Sequence, residues 1–314
     1  MCRAVSIHIG VDQPGGPSDS RALLEHSESA AWRMAELAYQ AGYDSMLVLR
    51  GATATVSAVQ AALFNASQLL EKGDQLLVSY SGHGAQQRTV LDCERDGTDE
   101  SWSLHDGELL DDTLAGWWRQ FRPGVRIVMV SESCFSGGMD RGGYDDAPPH
   151  WRRRRRMRGM RSVYRDASAA NHSCIVSAPR DCAEIRATVL MLTASREHQP
   201  AEGWLFTECL LKVWDNGNFT GSYCDLYEKV KERVTSQRTS QYPQILMLGT
   251  PDPGFALDPA FRRPAGKAEP REPGVAEAGP QEAGGPSTLD PDDPDRNGYG
   301  RYGSRRDRPR VYRD

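Results

Sequence analysis

The chain has no run of 18 or more apolar residues, and residues 1–25 hold no basic region leading into a sustained apolar stretch. The first absence argues against a membrane-spanning helix and the second against a secretory leader, so a cytoplasmic protein with no membrane partner is expected. Close Cys-x-x-Cys pairs are missing too. The seven cysteines, at positions 2, 93, 134, 174, 182, 209 and 224, are too scattered for metal ligation, and a disulfide framework is not expected in 314 residues. Mostly free thiols in a reducing compartment are expected instead. Excess positive charge is absent as well: the net charge of −5 is not that of a polyanion binder. What remains, 39% hydrophobic and 26% charged residues, suffices for one large or two ordinary domains with a core.

Along the chain, apolar runs alternate with helical periodicity. Strands are expected at 3–9, 45–49, 75–80 and 125–130, with another resuming near 173–178. Helices are expected at 27–43, 55–71 and near 111–120. The first of these aligns Ala30, Met34, Leu37, Ala38 and Ala41 on one face and has Gly42 near its end. Strands alternating with helices predict an α/β fold, a mainly parallel sheet flanked by helices on both faces.

Two strand ends carry reactive side chains. The stretch LLVSYSGHGAQQ (76–87) runs an apolar strand into His83, which stands between Gly82 and Gly84. One reading is a loop histidine with glycines as punctuation. The other is an imidazole exposed at the carboxyl end of a strand, where open α/β sheets build their sites. The stretch SESCFSGG (131–138) places Cys134 in the same way, beyond the strand at 125–130. A buried structural cysteine is one alternative. The surrounding Ser/Gly loop favours exposure and reactivity.

YSGHG (80–84) and ESCFSGG (132–138), with DGTDESW (96–102) and LLDDTL (109–114) between them, resemble the caspase-like cysteine peptidases, in particular the prokaryotic metacaspase (orthocaspase) branch. The 51 residues separating His83 from Cys134 match the caspase spacing. The resemblance runs from about residue 3 to 258 and includes LTASREHQPAEGWLFTECLL (192–211), which is similar to the start of that family's small-subunit region. It implies a caspase-like sheet, Cys134 as nucleophile, His83 as its partner, and the backbone amides of Gly84 and Cys134 as oxyanion donors. A thiol is the most nucleophilic neutral side chain near neutral pH, and an imidazole can take its proton and return one to the leaving amine. That chemistry requires no cofactor.

The same resemblance implies a substrate pocket with Glu132, two positions before Cys134, and Ser81, two before His83. A carboxylate there would select Arg or Lys by charge-assisted hydrogen bonds. Where the family has Cys-x-Asn-Asp, this chain reads HSES (26–29), so Ser29 replaces the second pocket acid while Glu28 stands beside it. Asp99, Asp111, Asp112 and Asp140 fall at positions resembling the calcium-binding aspartates of some metacaspases, and carboxylate oxygens suit calcium. The alternative for Asp111 and Asp112 is the start of a helix, where acids favour the dipole.

Between the halves lies DAPPHWRRRRRMRGMRSVYRD (146–166), with Arg152, Arg153, Arg154, Arg155, Arg156, Arg158, Arg161 and Arg165. A solvated basic loop, a nucleic-acid contact and a processing site for an Arg-directed protease are the three readings. No known binding motif supports the second. The domain organisation expected is 1–140, a large-subunit-like catalytic region; 141–172, a basic processing linker; 173–262, a small-subunit-like region of the same domain; and 263–314, a disordered Pro/Gly/charged tail too poor in aliphatic residues to fold alone. The function expected is a latent cysteine endopeptidase acting on protein substrates with exposed basic sites, activated by itself or by an upstream protease. Prokaryotic relatives imply a stress or antiviral-defence cascade. A catalytically silent scaffold on the same fold and a nucleic-acid-binding module are the rivals.

Overall fold

Seven-residue strands buried along almost their whole length build the middle of the sheet. Ala4–Gly10 (β1) and Gln75–Ser81 (β3) are buried along their whole length, and Arg126–Glu132 (β7) along all but its first residue. A strand buried on both faces needs helices on both sides, which is why these stretches read as continuous rather than alternating apolar runs. The computed structural model describes residues 2–15, 23–88, 98–133, 176–177, 185–195, 204–237, 241–263 and 274–277.

The elements follow in the order β1, Ser27–Gln40 (α1), Ser45–Arg50 (β2), Val56–Leu69 (α2), β3, Gly84–Arg88 (β4), Thr98–Ser103 (β5), Glu108–Leu110 (β6), Asp111–Trp118 (α3), β7, Val176–Ser177 (β8), Thr188–Thr193 (β9), Leu205–Trp214 (α4), Tyr223–Thr235 (α5), Gln244–Gly249 (β10) and Gly274–Glu277 (β11). The main sheet has the order β11-β2-β1-β3-β7-β9-β10-β8, parallel throughout except where β10 runs antiparallel to β9. One face is closed by α2 and α3 through Val59, Leu63, Leu114 and Trp118. The other is closed by α1, α4 and α5 through Met34, Leu37, Phe206, Leu210, Leu226 and Val230. The mainly parallel sheet with two helical layers is the architecture that the alternating pattern predicts.

Local signals account for several boundaries. Thr55 accepts the Ala58 N–H at 3.1 Å and starts α2, while Ser222 and Asp225 form a reciprocal capping box on α5. Gly42, at φ +84°, follows α1 in the left-handed conformation that ends helices. At the amino end of β7, Arg126 donates to Asp252 and Asp258 and lies over the Phe255 ring, which pins the segment after β10 to the base of the sheet.

The structure adds elements that the pattern does not mark. β4, β5 and β6 form a separate antiparallel sheet within what reads as a polar stretch. Within the expected tail, β11 pairs in parallel with the β2 edge, an arrangement that needs only backbone hydrogen bonds and no apolar core. Arg263 pairs with Asp44 at 2.7 Å, so the chain leaves the body beside the start of that edge. Among the described residues Cys2 and Cys209 are free thiols, and Cys224 is disulfide-bonded. No helix among the described residues is long and apolar enough to cross a membrane.

Candidate active site

β3 lies between β1 and β7 in the sheet, and its carboxyl end delivers Ser81, Gly82 and His83 to the sheet rim. His83 is half-buried. Its carbonyl accepts the Ser103 N–H at 3.0 Å and the Tyr80 hydroxyl at 2.7 Å. Gly82 is required there: a Cβ would stand 2.4 Å from the Tyr80 hydroxyl. Gly84, named as an oxyanion donor, opens β4 opposite Trp102.

β7 ends beside this loop. Ser81 is in register with Glu132, and the Gly82 N–H donates to the Glu132 carbonyl at 3.2 Å. The hydrogen bond ties the His83 loop to the segment that leads, two residues later, into Cys134. Cys134 itself lies outside the described residues, as do Asp140 and the eight arginines of the basic run. Ser133, the residue before it, is buried; its carbonyl accepts the Ser195 hydroxyl at 3.3 Å, and its own hydroxyl lies 3.3 Å from that of Ser131.

Glu132 is only 3% exposed, and its two carboxylate oxygens take the N–H groups of Phe206 and Thr207 at 2.7 and 3.0 Å. It therefore sits beneath the amino end of α4, where the helix leaves unpaired donors. Burial pushes its pKa up to about 7, against the pull of those hydrogen bonds; Glu208 pushes in the same direction as burial. Ser81, the other pocket candidate on the sheet, is buried.

Glu28 lies in the first turn of α1. That turn is capped by Asp12, whose carboxylate accepts the N–H groups of Ser27 and Glu28 at 2.6 and 3.2 Å. Burial and the Asp12 charge raise the Glu28 pKa, and Arg50 opposes them. His26 and Trp204 bring the two helix starts together, with ring centroids 4.8 Å apart, and Arg33 lies over the same indole at 5.6 Å. The rim thus collects Asp12, Glu28, Ser81, His83 and Glu132. Asp12 is absent from the sequence reading, and His26, Tyr80, Trp102 and Trp204 stand there only as letters of quoted motifs with no role assigned; they contact the site from separate elements, with no shared spacing to mark them.

Three of the four calcium candidates lie among the described residues. Asp111 and Asp112 occupy the first turn of α3, where Asp111 accepts the Asp112 N–H at 2.8 Å, as residues starting a helix do. Asp99 belongs to β5, opposite Gln87. Among the described residues no group of three or more His, Cys, Asp or Glu could hold a metal ion.

The family model for the caspase domain matches residues 16–250. Among solved structures, protein GSU0716 from Geobacter sulfurreducens is 28% identical, with a TM-score of 0.61 over 83% of this chain and 99% of its own. The structure of pro-sf-caspase-1 is 11% identical, with a TM-score of 0.44 over 80% of this chain and 92% of its own. No curated protein matches the chain significantly. A domain match spanning most of the sequence, on a mainly parallel sheet with His83 just beyond the end of β3, places this chain in the caspase-domain family of cysteine peptidases.

Proposed function

We propose that this chain is an active cysteine endopeptidase of the metacaspase kind that cuts after Arg or Lys, with Cys134 as nucleophile and His83 as its acid–base partner. The observation that carries the reading is the pairing of strand ends, Ser81 with Glu132 and Gly82 N–H on the Glu132 carbonyl, which sets the histidine loop against the segment entering Cys134. In the reaction, His83 takes the Cys134 proton and the sulfur attacks the scissile carbonyl carbon. The backbone N–H groups of Gly84 and Cys134 stabilise the oxyanion, a contribution of about 10²–10³ in rate per donor. The C–N bond then breaks as His83 protonates the leaving amine. Water, deprotonated by His83, attacks the thioester, the C–S bond breaks, and the acid product leaves with the thiol restored.

Basic selectivity is supported by the carboxylates of Asp12 and Glu28 at the sheet rim beside His83. Latency is supported by connectivity. Residues 141–172 lie between β7 and β8 in the chain, and the strand after β8, β9, pairs with β7, so a cut among Arg152–Arg165 leaves both halves held in one ladder. Exposed loops are where proteases cut.

The test is a peptide-library profile of the purified chain with Cys134→Ala and His83→Ala as controls. Turnover at Arg or Lys that both substitutions abolish is expected; wild-type turnover in Cys134→Ala, or a profile dominated by Asp, would overturn the assignment. Mass spectrometry of the active enzyme is expected to show two co-purifying fragments. An intact chain with full turnover removes the processing step.

A further inference from the structure

Beneath the His83 loop stands a buried aromatic pair that the reaction as written does not use. Tyr80 and Trp102 are each 1% exposed or less and stack with ring centroids 4.5 Å apart and planes 9° from parallel. Stacking alone would be served by apolar rings. These two carry one polar hydrogen each, and buried hydroxyl and indole groups need partners. The Tyr80 hydroxyl faces the His83 carbonyl at 2.7 Å and the Ser103 carbonyl at 3.1 Å. The Trp102 Nε1–H donates to the Ser131 hydroxyl at 3.1 Å, which in turn meets Ser133, the neighbour of Cys134. One end of the stack thus holds the peptide of His83, and the other holds the strand end that carries the nucleophile. The loop also closes onto the hydroxyl so tightly that only glycine fits at position 82.

We propose that Tyr80 and Trp102 are positioning residues that set the placement of the His83 imidazole relative to Cys134. The proposal rests on the peptidase reading above. Both act through the backbone and hydroxyls of the two segments that carry the reacting groups. Small misplacements of reacting groups are costly, with about 1 Å able to remove 10²-fold in rate. Tyr80→Phe is a mild probe, because it keeps the stack and leaves the His83 carbonyl its Ser103 N–H donor.

The experiment compares wild type, Tyr80→Phe, Trp102→Phe and His83→Ala by two readouts. The first is steady-state cleavage of an Arg peptide. The second is the pH dependence of iodoacetamide alkylation at Cys134, followed by mass spectrometry of the peptide that contains it. Tyr80→Phe is expected to lower kcat by about 10- to 100-fold with KM within about twofold, and to move its alkylation profile toward that of His83→Ala. A purely structural role would shift the melting temperature and leave the alkylation profile in place. Trp102→Phe cuts the same path from the other end and decides the matter if Tyr80→Phe does not fold. Wild-type kcat and an unmoved profile in a folded variant overturn the proposal. If His83→Ala leaves the wild-type profile unchanged, the Cys134–His83 pair itself is refuted, and the positioning role falls with it.

Discussion

Glu132→Gln probes a carboxylate that the fold buries under a helix start. In the native chain Glu132 is 3% exposed, and its pKa rises from the ordinary 4.5 to about 7. A rise of that size corresponds to about 3 kcal/mol between the two protonation states. Because an acid with a raised native pKa keeps its proton longer than the unfolded chain does, Glu132 contributes most below about pH 4.5. That contribution is lost as pH climbs to about 7. Glutamine does not titrate, and with one oxygen and one NH2 it resembles the protonated acid. It retains an acceptor for one of the two N–H groups from Phe206 and Thr207. Urea unfolding of both proteins from pH 4 to 8 is expected to give similar stabilities at the acid end, within about 1 kcal/mol. Relative to wild type, the variant should then gain up to about 3 kcal/mol by pH 8. Using the difference between the two curves cancels every group they share. A difference that does not change with pH would refute the account of Glu132 as a buried, late-ionising acid.

Three further outcomes are expected. His8, fully buried in β1 between the hydroxyls of Ser79 and Ser6, has its pKa lowered to about 3 by burial. Its sign is opposite to that of Glu132: stability falls as pH drops from about 6.5 to 3, by up to about 5 kcal/mol, and His8→Gln should flatten this limb in acid-unfolding curves. Gly10→Ala would set a Cβ 2.4 Å from the Ser27 carbonyl, so α1 must shift; a loss of about 1–3 kcal/mol in chemical denaturation checks it, and unchanged stability would contradict the close approach. Glu28→Gln should lower kcat/KM for Arg peptides about tenfold, a loss of about 1.4 kcal/mol, and leave turnover of a matched uncharged peptide unaffected; equal loss on both would remove Glu28 from the pocket.

The sheet's centre was legible because a strand buried on both faces is apolar throughout its length. β1, β2, β3 and β7 fall within one or two residues of their expected positions, as do α2 and α3, while the expected 27–43 helix ends at Gln40 with the left-handed Gly42 beyond it. The β4–β6 sheet was not legible. Its strands, GAQQR, TDESWS and ELL, lack sustained alternation, and their pairing is set by the ladder across Gly84 and Trp102. β11 was hidden for a related reason, since an edge strand is specified by backbone groups that every sequence possesses.

The chain by itself determined that two reactive side chains follow two apolar strands, because glycine-flanked strand ends are a local property of residues adjacent in sequence. It also determined that helices must cover both faces of those strands, because such strands cannot face water. Tertiary structure alone decided what surrounds the two groups. Glu132 became an acceptor for the start of α4, 74 residues away, and Asp12 became the cap of α1. Tyr80 and Trp102 became a bridge between the two strand ends. Each of these roles depends on which strands are neighbours and in what register, and in a parallel sheet that is settled by packing between segments far apart in sequence rather than by any residue's own preference.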